Sequence, residues 1–180
     1  DLPVPRWLFY WGGAVVLAAG LGLASFAPPL GFDFRIRPPR GQILVTERMA
    51  PLLPLPANGI RQTPEGTVLI GTSKEEAGFD VTTTVHAGAA MAARAIRILP
   101  VLASACLVRA WAGLRVMTDD GFPVYEESAR FPGVFVATCH SGVTLTSVHA
   151  NALAQAILSG KLSPPFQPFH SRRSHVPAQT

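Results

Sequence analysis

Charge is scarce in this chain. Of its 180 residues only 14% are charged, against 48% hydrophobic. That balance excludes a disordered polyelectrolyte and leaves a well-buried globular protein or a membrane-associated one. The net charge of +4 is not gathered into a basic stripe with interleaved aromatics, so nucleic acid is not an expected partner. The nearest basic cluster, Arg35, Arg37 and Arg40, is short and interrupted by Pro38 and Pro39. Cysteine is nearly missing too. Cys106 and Cys139 form neither a CxxC pair nor a zinc spacing, so no metal site is expected. Two unpaired thiols point to a reducing compartment, and with it to a cytoplasmic or membrane-associated protein.

A phosphate-cradling glycine motif is also lacking. "GLGLAS" (Gly20–Ser25) imitates G-x-G-x-x-G, but Pro28 and Pro29 follow. They stop any helix within a turn, and a dinucleotide fingerprint must open a helix whose N-terminus holds the pyrophosphate. What precedes it is an uncharged run, Trp7 to Phe32, long enough for a membrane span of roughly 20 residues. Gly12, Gly13, Gly20 and Gly22 interrupt that run. The segment Ala14–Ala19 therefore reads as a buried parallel strand ending in glycine. A signal segment after Arg6, or a span over residues 7–27, remains the competing reading.

Further along, Ile43-Leu44-Val45 reads as strand. "GIRQTPEGTVLIGTS" reads as a hairpin turned at Pro64-Glu65-Gly66. Thr82–Thr84 can cap a helix whose apolar positions Val85, Ala89, Ala92, Ala93, Ile96 and Leu99 fall near helical spacing, ended by Pro100. "ACLVRAWAGLRVMT" and "PGVFVATC" read as strands. "SGVTLTSVHANALAQAILSG" reads as a helix stopped at Gly160, with Ser141 or Thr144 as its cap. The Pro-rich, basic stretch 161–180 reads as a loose tail.

The stretch "WAGLRVMTDDGFPVY" (Trp111–Tyr125) poses a question. An arginine in so apolar a setting is costly unless an anion meets it. Arg115 either pairs with Asp119, Asp120 or Glu126, or it waits for an anion from outside.

Five segments in order carry a resemblance: "VVLAAGLG" (Val15–Gly22), "RPPRGQILVTER" (Arg37–Arg48), "GTVLIGTSKEEAGFD" (Gly66–Asp80), "WAGLRVMTDDGFPVY", and "VFVATCHSGVTL" (Val134–Leu145). Together, over Gly13 to Gly160, the chain resembles the C-terminal half of the FAD-dependent D-amino acid oxidase superfamily. The likeness is to its glycine oxidase, hydrogen cyanide synthase and D-amino acid dehydrogenase branch. The resemblance implies an α/β (α+β) fold. Residues 13–27 and 132–160 would be part of a Rossmann-like FAD-binding domain, with an inserted antiparallel-sheet substrate domain over 33–131. It also implies an absence, since such proteins open with strand–GxGxxG–helix and this chain does not. The expectation is a C-terminal fragment that binds FAD weakly or not at all by itself, and that needs a missing N-terminal half or a partner subunit.

The resemblance further implies residue roles. Arg115, the arginine of W-x-G-x-R, would hold the carboxylate of an amine or amino acid substrate as a two-pronged clamp. His140, Ser141, Gly142, Val143 and Thr144 would present backbone N–H groups to the flavin near N1 and the C2 carbonyl. Gly20 would pass the pyrophosphate or adenosine side, or be a simple turn glycine. No protein base is implied, because the cofactor takes hydride directly from the substrate α-carbon. Cys139 reads as a small buried thiol, not a covalent flavin anchor. His86 and His149 read as helix histidines without a catalytic role. Where the glycine oxidase pattern has glycine, this chain has Cys139, with a shorter loop and no second arginine in it. Non-catalytic remnant, accessory subunit and membrane-anchored binding module are the rival functions.

Overall fold

The computed structural model describes residues 13–162 and 164–175. The chain divides into two compact units. One is Pro38–Arg115; the other joins the chain up to Arg37 with the chain from Val116 onward.

The middle unit is an antiparallel sheet with a helix on one face. Its strands are β3 (Arg40–Arg48), β4 (Ile60–Gln62), β5 (Thr67–Gly71) and β6 (Leu107–Leu114), in the order β4-β5-β3-β6. Strand β3 alternates strictly: Arg40, Gln42, Leu44 and Thr46 are buried, while Gly41, Ile43 and Val45 are not. That period-two pattern commits one face to a core and leaves the other open. The hairpin β4–β5 turns where expected, with Gly66 at φ 96, a conformation that favours glycine.

Helix α2 (Val85–Ile98) covers the committed face. Thr84 caps it by accepting the Ala87 N–H. Its buried residues are Ala87, Met91 and Ala95, spaced by four and so stacked on one side. Met91 and Ala95 pack with Leu44, Val68, Ile70 and Leu102. The expected face is met in part: Ala92, Ile96 and Leu99 pack against that core, whereas Val85 is 90% exposed and Ala89 and Ala93 are exposed as well. An alanine-rich helix offers several small stripes. The one that flanks Met91 gives the sheet a long side chain to bury.

The second unit is built on β1 (Val15–Leu17), parallel to β9 (Val134–Thr138), which is antiparallel to β8 (Val124–Glu127). The two-residue strands β2 (Ile36–Arg37) and β7 (Met117–Thr118) pair with each other. Residues 33–37 and 116–131 therefore belong with β1 and β9, and the middle unit is shorter than the 33–131 segment expected for it. Strand β1 is parallel as expected but not fully buried. It lies at the sheet edge, and Val16 is 43% exposed. After Gly20, α1 (Leu23–Phe26) lasts four residues before the prolines end it. Leu23, Ala27, Leu30 and Phe32 form a core with Val124, Val134 and Val136.

From Thr146 a continuous helix, α3, runs through an α-segment (Thr146–Val148), a π-segment (His149–Leu153) and a second α-segment (Ala154–Leu158). Gly160 follows at φ 70. The stretch after it is not loose where it is described. Pro164–Phe169 and Ser171–His175 form 3₁₀ turns. Phe166 is 4% exposed and meets the Tyr125 ring edge-on at 5.3 Å. Arg173 grips Asp120 at 2.7 Å. Proline prevents an α-helix here but not docking, and two aromatic side chains supply the apolar area that docking needs.

Candidate functional site

Arg115 follows the last residue of β6, and its N–H donates to the Pro39 carbonyl at 3.0 Å. Its Nη2 donates to Thr72 Oγ1 and to the Ser73 carbonyl, the latter at 3.1 Å. Both acceptors are neutral. The acids that could have neutralised it are engaged elsewhere. Asp119 pairs with Arg37 at 3.7 Å, Asp120 with Arg173, and Glu126 with His170 at 3.3 Å. Among the described residues no carboxylate meets Arg115. Gly41 makes its position possible: a Cβ there would stand 2.6 Å from Nη2.

Behind this site lies a buried polar network that the sequence reading missed. Arg40 is 5% exposed and reaches Glu75 at 2.8 Å and Asp80 at 2.6 Å. Gln42, 1% exposed, donates to Glu75 and Thr84 and accepts the Thr84 N–H at 2.9 Å. Ser73 Oγ takes the Gln42 N–H at 2.8 Å and donates to Glu75. The Ser73 hydroxyl, then Arg40, hold the Glu75 carboxyl down at about 2. Thr82, first through its backbone N–H, holds Asp80 below the usual carboxylate range. The network pins residues 72–80 to β3, and so fixes both acceptors of Arg115. Arg40 is therefore an internal cation and not part of a basic surface cluster. The available signal was an arginine and a glutamine at alternate positions of one strand, followed by the acids of "SKEEAGFD".

The other sequence-derived residues gather in the second unit. His140 to Thr144 form the loop between β9 and α3. Leu145 N–H returns to the Ser141 carbonyl at 3.0 Å and Thr146 N–H to Val143 at 3.3 Å. The N–H groups of His140, Ser141, Gly142, Val143 and Thr144 donate to no group among the described residues. The expected side-chain cap is not made: Leu145 stands at the N-cap, and Ser141 Oγ pairs with His140 Nδ1 at 3.1 Å. A row of unused, largely exposed donors ahead of a helix suits a group with acceptor oxygens and partial negative charge. Gly142 passes over Cys139, where a Cβ would lie 3.7 Å from Sγ.

Gly20, at φ 56, lines an apolar cavity of about 400 Å³ with Val16, Ala137, Cys139, His149 and Leu153. Burial, then Cys139, pushes the Tyr125 phenol up to about 12. Its hydroxyl is hydrogen-bonded with His149 Nε2 at 2.6 Å. Burial raises the Cys139 thiol pKa as well, so it is a poor nucleophile. His86 is exposed on α2. Among the described residues no cluster could hold a metal, and no helix is long and apolar enough to cross a membrane. Residues 7–12 of the proposed span lie outside the described residues.

Comparison with known proteins finds relatives of the chain. The family described as FAD dependent oxidoreductase matches residues 10–156. One of the opine oxidase subunits of Agrobacterium tumefaciens is 43% identical over 162 residues, covering 90% of this chain and 44% of that protein. Glycine oxidase of Pseudomonas aeruginosa is 34% identical, covering 83% of this chain and 43% of that protein. The crystal structure of glycine oxidase from Geobacillus kaustophilus superposes with a TM-score of 0.78 at 26% identity, over 89% of this chain and 45% of that one. The chain thus spans less than half the length of these relatives.

Proposed function

The chain belongs to the FAD-dependent oxidoreductase family, and from that premise we propose that it holds the substrate of an enzyme oxidising a carboxylate-bearing amine or amino acid, with Arg115 gripping the carboxylate. One observation carries the reading: Arg115 rests on neutral acceptors, with no acid partner among the described residues. A guanidinium placed this way is a preformed fork for a carboxylate. Relatives named for opine and glycine oxidation support the substrate class.

FAD, when bound, would take a hydride from the substrate α-carbon and leave an imine. The residues present fit such a group. The five unused N–H donors from His140 to Thr144 would face its acceptor oxygens, and Gly142 puts no side chain in the way. Gly20 would lie on the pyrophosphate or adenosine side. Arg115 orients the substrate and stabilises its charge. Neither His86, His149 nor Cys139 is assigned a proton transfer.

The working protein includes more than these residues, as an N-terminal half or a partner chain supplying the glycine-rich nucleotide motif. A relative named as a subunit supports the partner form. The test is steady-state kinetics on the flavin-loaded protein. Arg115→Ala should cost on the order of 2–4 kcal/mol in kcat/KM for carboxylate substrates, the value of a charge-assisted fork. Amines without a carboxylate should be nearly indifferent. Equal losses for both classes would make Arg115 a structural residue.

A further inference from the structure

The face of the middle sheet opposite α2 carries a second cation. Direct cross-strand partners share a face. The register pairs Ile43 with Trp111 and Val45 with Arg109, while the alternate residues Gln42 and Leu44 are buried on the other side. The Arg115 guanidinium belongs to the same face as Trp111 and Arg109, because it fills the space where a Gly41 Cβ would stand, and Gly41 pairs with Gly113.

Arg109 and Arg115 are six positions apart, about 20 Å along a strand at ~3.3 Å per residue. Arg109 Cζ lies 5.6 Å from the centre of the Trp111 ring, and Arg115 reaches back to Gly41, level with Gly113. The two charges are then separated by about two to four strand positions, roughly 7–13 Å. Arg109, like Arg115, meets no carboxylate among the described residues.

We propose that Arg109 is a second anchor in the same substrate site, which takes an amino acid whose nitrogen-borne or side-chain arm ends in a second carboxylate. The first carboxylate sits on Arg115, the arm crosses the Trp111 ring and the second carboxylate meets Arg109. This rests on the proposed role of Arg115. Stacking holds the Arg109 guanidinium extended while its N–H edge stays free, so little freedom is lost on binding. The competing role for an exposed arginine on β6 is to discourage edge-to-edge pairing, and that role is blind to the ligand.

The test is titration calorimetry on the flavin-loaded protein with two ethers, in which oxygen replaces the amine so that no imine can form. 4-(Carboxymethoxy)butanoate carries both carboxylates; butoxyacetate has the same length and carries one. The wild type should prefer the dicarboxylate by about two- to fivefold, as an exposed ion pair allows. Arg109→Ala should erase that preference and leave butoxyacetate unchanged. Arg109→Lys should keep part of it, and high salt should remove it. Arg115→Ala should weaken both ligands. If Arg109→Ala weakens both equally, or neither, the second anchor is wrong. If Arg115→Ala leaves both unchanged, the reading of Arg115 fails, and the two-anchor site with it.

Discussion

Arg115 owes its place to an atom that is not there. Gly41 leaves room for the guanidinium, and its own backbone needs no special conformation, since its φ is not positive. Gly41→Ala would bring a methyl 2.6 Å from Nη2. That atom is the far end of a flexible side chain, so the arginine moves and the fold stays. The expected outcome is a melting temperature within a few degrees of the wild type and a large rise in KM for carboxylate substrates. Unfolding of the variant, or an unchanged KM, would contradict the placement. Glu75 supplies a pH dependence. Its carboxyl is held at about 2 against an ordinary 4.5, so its share of stability is intact above about pH 4.5 and is lost as the pH falls toward 2. Urea midpoints of wild type and Glu75→Gln should therefore converge across that window. Curves that stay parallel would show that Glu75 is not ionised in the network. The position of Arg115 in an apolar strand was legible in the sequence; its freedom from acids was not. Asp119 and Asp120 lie four and five residues away in the chain, and only the fold shows them turned to Arg37 and Arg173.

Elements were readable where one period dominates. Strands β3, β5 and β9 follow from β-branched runs, β6 from the apolar stretch around Trp111, and α2 from its Thr84 cap and the stop at Pro100. What failed depended on long-range contacts. The buried face of α2 was legible only in part, because alanines fit several stripes, and the sheet chose the one holding Met91, with Ala92 and Ile96 beside it. The π-segment at His149–Leu153 has no local signature. The segment Pro164–His175 looked like a tail because prolines dominate it, yet Tyr125 and Asp120 dock it from far away in sequence. Phe166→Ala tests that docking. Burying and then deleting such a ring costs about 3–5 kcal/mol where the cavity must remain. Here the segment can peel away instead, so the loss is capped by the docking energy itself. Limited proteolysis of the variant should cut at Lys161, Arg172 and Arg173 while the rest stays intact; resistance equal to the wild type would refute docking through Phe166.

At the scale of the molecule, the chain carries an arginine with no acid partner among the described residues and a loop of unused donors, but no glycine-rich nucleotide motif. The 180-residue chain by itself should purify colourless and bind FAD weakly or not at all; stoichiometric flavin in that chain would overturn this view. Val16 on edge strand β1 is exposed, and so, in the middle unit, are Leu107, Val108 and Trp111 on β6; exposed apolar area on each unit favours association when uncovered. The central claim is that Arg115 brings a carboxylate-bearing amine to the flavin. The most direct measurement is anaerobic bleaching of the flavin absorbance in the flavin-loaded protein, comparing an amino acid substrate with its decarboxylated amine, in the wild type and in Arg115→Ala. The account predicts fast bleaching by the amino acid, slowed by the substitution, and slow bleaching by the amine that the substitution leaves unchanged. Equal slowing of both compounds, or no bleaching by any amine or amino acid, would contradict it.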